Sequence, residues 1–251
     1  MVRPTAEGPA FTEARAHVLV VADALDSAVL GGCIKLSGDT HHHLARVLRL
    51  RAGDPVTVTD GRGRWREVRV GADFASSGLL DVSGDLEFVP EPPDVGIAFA
   101  LTKGDKPEVV VQKLTELGVR RIVVFRAARS VVRWDEDKGE RNRHRLEAVA
   151  VSALEQSRAA WLPVVEPIAD FAALRHRPGA VRADRGGRDL QPRRDQLVLI
   201  GPEGGWADEE RLQMPDAIGL PGHVLRAETA AIVGGAFLVE AWGDSSEGSR
   251  R

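Results

Sequence analysis

The chain has 251 residues, 43% of them hydrophobic, which is enough to build one or two packed cores and excludes wholesale disorder. No stretch approaches the roughly 18 consecutive apolar residues of a membrane span. The segment Met1–Ala10 has no apolar run of secretory type, and the lone Cys33 excludes an intramolecular disulfide, so a cytoplasmic protein without membrane contact is expected. A net charge of −3 excludes a uniformly cationic surface, yet seven arginines fall between residues 41 and 69, and arginine returns from Arg120 to Arg145 after an acidic stretch over 73–94. Such clusters serve either as solvated faces or as phosphate contacts.

In chain order, His17–Val21 reads as a short strand. Leu44, Val47 and Leu48 fall at helical spacing, with Asp39 or Thr40 as the cap. Pro55–Asp60 and Trp65–Val70 alternate at period two around Asp60-Gly61, a hairpin signature. These elements predict a small β-barrel with one helix. Pro90, Pro92 and Pro93 mark a linker, because proline continues neither a helix nor a central strand.

Beyond it, strands and helices alternate. Strands are predicted over 96–101, 121–125, 180–183 and 197–200. Helices are predicted over 107–117, 138–159, 208–213 (capped by Asp208) and 228–242. That alternation implies an α/β domain with a mostly parallel sheet.

The strand at 197–200 runs into Gly201-Pro-Glu-Gly-Gly205. A glycine turn at the carboxyl end of a parallel strand lets backbone approach a ligand, though taken alone its plainer role is a tight strand–helix connection. No phosphate-binding loop of the G-x-x-x-x-G-K-[ST] type and no dinucleotide fingerprint occurs. Arg226 and Glu228 stand at the mouth of the last apolar helix, where capping is the plainer role. The run His41-His42-His43 diverges around a helix start and cannot ligate one ion, so no metal is expected. The five tryptophans (Trp65, Trp134, Trp161, Trp206, Trp242) serve by default in packing. Trp206, beside the glycine turn, is the first candidate for stacking on a base.

Several motifs occur in a fixed order. They are His42-His43-Leu44, Val47-Leu-Arg-Leu50, Gly53-Asp54, Leu101-Thr-Lys-Gly-Asp-Lys106, Gln112-Lys-Leu-Thr-Glu-Leu-Gly118, Arg129-Ser-Val-Val132, Glu155-Gln-Ser-Arg158, Leu199-Ile-Gly-Pro-Glu-Gly-Gly205 and Leu225-Arg-Ala-Glu-Thr-Ala230. Together, over about residues 15–242, they resemble the uracil-N3-methyltransferase family of small-subunit (16S) ribosomal RNA, a SPOUT-class family. The resemblance implies a PUA-like RNA-binding β-barrel over 1–92, a SPOUT methyltransferase domain over 93–243 with a deep trefoil knot near 197–235, and a flexible tail over 244–251. It also implies S-adenosylmethionine as cofactor, a homodimer, and small-subunit ribosomal RNA or the assembled subunit as partner. His223 and Ala227 depart from the Arg and Thr usual there. Another SPOUT enzyme, acting on transfer RNA or a ribose 2′-hydroxyl, and a non-catalytic RNA-binding protein on the same fold stay open as alternatives.

On this reading Ile200, Gly201, Gly205, Leu220, Gly222, Val224 and Leu225 form the cofactor pocket. Arg226 stabilises the negative charge that spreads over uracil when N3 loses its proton, and Glu203 accepts that proton or orients the base. Arg46, Arg49, Arg51, Lys103, Lys106, Arg129 and Arg158 are the expected RNA contacts.

Overall fold

A computed structural model describes residues 13–102, 106–132, 134–190 and 195–245. Lys103 and the tail residues beyond 245 therefore lie outside the described residues. The chain divides into two compact units, one comprising Arg3–Glu91 with Leu154–Leu162, the other Pro92–Ala153 with Pro163–Arg251.

The first unit is built on a six-stranded sheet. Strand β1 (Ala16–Leu19) pairs in parallel with β3 (Pro55–Thr59), which forms a hairpin with β4 (Arg64–Val70); β5 (Leu79–Val82) and β2 (Cys33–Lys35) follow, and β6 (Glu87–Phe88) pairs with β4. The predicted hairpin turn is present, and Asp60 organises it. Asp60 Oδ1 accepts from the amides of Arg62 (2.8 Å) and Arg64 (3.2 Å), while Oδ2 holds Arg64 Nε at 2.7 Å. Gly63, at φ 88°, leaves no room for a side chain, because a Cβ there would lie 2.5 Å from the Trp161 ring. Val18, Ile34, Val58, Val68, Val70, Phe74 and Leu80 form the core.

More short helices occur here than the single predicted one. They are α1 (Ala22–Ser27), α2 (Gly38–His42) and α3 (Phe74–Ser77). Ser37, not Asp39 or Thr40, caps α2, its Oγ accepting from the Thr40 amide at 3.3 Å. A π-helical turn (His43–Val47) then leads to Arg49, held at φ 52°. Residues 154–162 complete this unit: the Ala160 carbonyl accepts from the Gly63 amide at 2.8 Å, and Leu162 N donates to the Gly61 carbonyl at 2.8 Å.

The second unit carries a seven-stranded sheet in the order β10-β8-β7-β12-β11-β13, with β9 on β8. Its strands are β7 (Gly96–Ala100), β8 (Arg121–Arg126), β9 (Val164–Val165), β10 (Ala169–Asp170), β11 (Ala180–Arg188), β12 (Leu197–Ile200) and β13 (Ala217–Ile218). Every pairing among them is parallel. The helices are α4 (Lys106–Leu117), α5 (Glu136–Ser157), α6 (Phe171–Leu174), α7 (Asp208–Gln213) and α8 (Ala227–Ser245). Parallel strands covered on both faces must be apolar throughout, and every residue of β7 and β12 is buried. The cap of α7 differs from expectation. Ala207 occupies the N-cap, and buried Glu210 reaches back to its amide (Oε2, 2.9 Å) and to that of Ala128 (Oε1, 2.8 Å).

Candidate active site

Parallel sheets bind ligands at the carboxyl ends of their strands, where loops diverge and amides are unpaired. In the second unit a cleft of about 480 Å³ opens there. Three stretches wall it: Ala183–Gly186 on β11, Ile200–Trp206 after β12, and Gly219–Leu225 after β13. Ala227 and Ala230 of α8 close it. Ile200, Gly201, Gly205, Leu220, Gly222, Val224 and Leu225 all line this one cleft. Two segments some twenty residues apart in sequence are thus brought face to face.

Glycine is required at particular points. A Cβ on Gly201 would lie 2.8 Å from the Trp206 indole. Gly205 (φ 71°) and Gly222 (φ 100°) adopt backbone angles that other residues resist. Trp206 is core, not a stacking platform. It is 2% exposed, stacks on Phe125 with centroids 6.0 Å apart, and its Nε1 donates to the Ala183 carbonyl at 2.8 Å, joining the glycine turn to the β11 wall. Trp65 is likewise buried, and Trp161 Nε1 donates to the Val89 carbonyl at 3.2 Å.

The charged residues at the cleft fall into two groups. On the β11 wall, Asp184 pairs with Arg182 and with Arg211, whose Nε lies 3.0 Å away. Burial works against this carboxylate, but the Arg211 hydrogen bond and the two guanidinium charges prevail and hold its pKa below the usual range. On the opposite side, Glu203 lines the cleft and pairs with Lys106 of α4, and the same ammonium lies 3.4 Å from Glu228 Oε1. The hydrogen bond to Glu203 is the chief cause raising the Lys106 pKa. Arg226 is exposed beside this cluster in sequence and is not part of the cleft lining.

The expected RNA contacts divide. Arg129 Nη1 donates to the Gly204 carbonyl at 3.2 Å, beside the glycine turn. Lys106 is engaged by the two carboxylates. Arg158 belongs to the first unit, where Nη2 donates to the Ala14 carbonyl at 2.6 Å. Arg46, Arg49 and Arg51 are exposed on the first unit.

Sequence reasoning missed the β11 wall and the pairing of Lys106 with Glu228. The Gly186-Gly187 pair was an available signal for the wall: a Cβ on Gly187 would lie 2.3 Å from the Ile218 carbonyl carbon, so only glycine lets β11 continue past β13.

The fold and cleft define an α/β domain that binds a ligand among glycine loops at the end of a parallel sheet. A sequence model described as an RNA methyltransferase domain matches residues 89–238, and one described as an RNA methyltransferase PUA domain matches residues 36–75. The chain belongs to the RNA methyltransferase family. The ribosomal RNA small subunit methyltransferase E of Bacillus subtilis is 32% identical over 221 residues, covering 78% of this chain and 86% of that protein. The protein of the same name from Mycobacterium bovis is 30% identical over 223 residues, covering 81% and 84%. Among solved structures, ribosomal RNA small subunit methyltransferase E from Neisseria gonorrhoeae, bound to S-adenosyl methionine, has a TM-score of 0.79 over 91% of this chain and 98% of that one. At 24% identity, that likeness is one of fold.

Proposed function

We propose that this protein transfers a methyl group from S-adenosylmethionine to ring N3 of a specific uridine in 16S ribosomal RNA of the small subunit. The observation that carries the proposal is the single cleft formed by Gly201–Gly205 and Leu220–Leu225, in a chain of the RNA methyltransferase family whose relatives bear a small-subunit ribosomal RNA name.

The residues present fit such a cofactor. About 480 Å³ falls within the range of roughly 300–1,000 Å³ for small-molecule sites. Ile200, Leu220 and Leu225 supply apolar walls for a purine, the glycine turns bring amides and carbonyls to its edge, and Asp184 supplies negative charge for a cationic ligand. When bound, the cofactor supplies an activated methyl group on a sulfonium. The protein's part is then to orient the acceptor nitrogen, exclude water and manage its proton. Arg226, exposed just before α8, is assigned the guanidinium that stabilises charge spreading onto the uracil carbonyl oxygens.

The finer architecture belongs to the same proposal. A PUA-like barrel over 1–92 holds RNA through Arg46, Arg49 and Arg51, and a SPOUT domain over 93–243 is knotted near 197–235. The working form is a cytoplasmic homodimer. Among the described residues no helix is long and apolar enough to cross a membrane. The test is methyl transfer from labelled cofactor to small-subunit RNA lacking its modifications, followed by nucleoside identification. Label in N3-methyluridine is expected. Label in a ribose 2′-O-methyl nucleoside, or none with cofactor bound, would overturn the proposal.

A further inference from the structure

A nitrogen that carries a proton at neutral pH is a poor nucleophile, so methylation of uracil N3 needs an acceptor for that proton. Among the described residues three carboxylates stand at or near the cleft: Asp184 is committed to Arg182 and Arg211, while Glu203 and Glu228 differ from one another. The Glu203 side chain is 55% exposed and held by Lys106. The Glu228 side chain is 19% exposed; its Oε1 lies 3.4 Å from Lys106 Nζ, and its buried Oε2 has no hydrogen-bond partner among the described residues. Burying a carboxylate oxygen without a donor is costly, and such an oxygen calls for a partner such as a water or a ligand group. Another buried polar atom without a partner among the described residues, Thr102 Oγ1, lies just past the carboxyl end of the central strand β7, four residues before Lys106.

We propose that Glu228 is the catalytic residue that takes the N3–H proton of the target uracil, with Lys106 beside it donating to a neighbouring carbonyl oxygen. This rests on the uracil-N3 reading above and assigns the proton acceptor within it. The groups around Glu228 are Lys106 from α4, Glu203 from the turn after β12, and Arg226 two residues before it. Lys106 lies beside the carboxylate, which stands in the first turn of α8, and partial burial limits the access of water to Oε2. An ammonium has three donors, of which, among the described residues, two carboxylates engage two. The third suits a uracil oxygen. The pair thus offers a donor beside an acceptor, matching the O=C–N3–H edge of uracil. Cytosine, whose N3 carries no proton, would set a lone pair against the carboxylate.

In the step itself the N3–H proton passes to Glu228. The N3 lone pair forms the bond to the methyl carbon as the carbon–sulfur bond breaks, and the bonding pair stays on sulfur as a neutral thioether. Glu228 then loses its proton to solvent.

The test uses the full chain and variants E228Q and E203Q, first mapping the uridine that the wild type methylates. E228Q should bind S-adenosylmethionine as the wild type does and turn over about 100-fold more slowly at neutral pH. Its rate should recover as pH rises and the uracil ionises unaided, whereas E203Q, which removes a partner of Lys106, should slow turnover without this recovery at high pH. Replacing the target by 5-fluorouridine, whose N3–H is more acidic, should accelerate E228Q at least tenfold more than the wild type, a ratio taken within one folded protein. Without cofactor, wild type should bind target RNA about tenfold more tightly than RNA with cytidine at that position, and E228Q should lose this preference. If E228Q keeps wild-type rates and profile while N3-methyluridine is made, Glu228 is not the acceptor and the function stands. If the wild type methylates another atom, the functional reading itself has failed.

Discussion

At the residue scale, single atoms decide what positions 201 and 17 tolerate. A Cβ on Gly201 meets the Trp206 ring at 2.8–3.2 Å, and that indole is packed on Phe125 and tied to Ala183. Gly201→Val must therefore shift the floor of the cleft as well as fill it. Affinity for S-adenosylmethionine, measured by calorimetry, should fall at least tenfold, and the protein should lose about 1–3 kcal/mol of stability. Retained affinity would mean the ligand does not use this turn. His17 is a second such position. It is buried within the first unit, with Nδ1 2.7 Å from Thr57 Oγ1 and Nε2 3.1 Å from the Ala159 carbonyl. Burial is the main cause that lowers its pKa to about 4; the Ala159 hydrogen bond opposes this and the Arg158 charge adds to it. The unfolded chain then takes up a proton near pH 6.5 that the folded chain refuses. The stabilisation is complete above pH 6.5 and fades as pH falls toward 4, a loss of about 3 kcal/mol. Urea unfolding at pH 7 and pH 4.5 should show wild type losing about 2–3 kcal/mol more than His17→Gln. An equal loss in both would remove His17 as a source of acid sensitivity.

At the element scale, helix α8 shows how distances sort outwardly similar positions. Gly234 and Gly235 are neighbours in it. A Cβ on Gly234 would rest 3.4 Å from Ile97 Cδ1 and 3.6 Å from Ile200 Cδ1, which is ordinary contact, whereas one on Gly235 would lie 2.5 Å from Leu114 Cδ2 and 3.2 Å from Val119 Cγ2. Gly234→Ala should stabilise by up to about 1 kcal/mol through helix propensity, and Gly235→Val should destabilise by about 1–3 kcal/mol through overpacking against α4. Thermal melts of both variants check the pair; equal effects would show that α8 does not pack as described. The same helix shows what was legible in sequence. Its apolar run, like the buried strands at 96–100 and 197–200 and the Asp60-Gly61 hairpin, is a local pattern, and local patterns predicted these elements to within a few residues. The glycine turn at 201–205 and the turn at 220–222 were visible locally, but only the family resemblance joined them into one proposed pocket; the structure brings both stretches to one cleft. What stayed hidden depends on pairing across the chain. Strand β11 runs to Arg188 because Gly187 lets it pass Ile218, and propensity at 184–188 gives no hint of it. Residues 154–162 read as the end of a long helix and a loop, yet their carbonyls and amides complete the first unit. Lys106, Glu203 and Glu228 are far apart in sequence, and only folding unites them.

At the scale of the whole molecule, net charge and charge placement make opposite predictions about RNA. A chain with net charge −3 should show little salt dependence if its average charge governs binding. If binding is local, exposed Arg46, Arg49 and Arg51 on the first unit dominate, and each phosphate contact releases counterions. The local account has structural support: a π-helical turn ends just before Arg49, whose φ of 52° is an uncommon conformation that costs about 1–2 kcal/mol and persists only where its surroundings enforce it. Such strain gathers where side chains must be presented at a fixed angle. Affinity for a single-stranded small-subunit RNA segment should therefore fall steeply with salt, and replacing all three arginines by alanine should flatten the log–log slope by about 2, at roughly 0.7 per lost contact. Cofactor affinity should not change in that variant, because the cleft is built wholly from the other unit. An unaltered slope would move the RNA path away from these arginines and toward Arg129, whose guanidinium already meets the glycine turn.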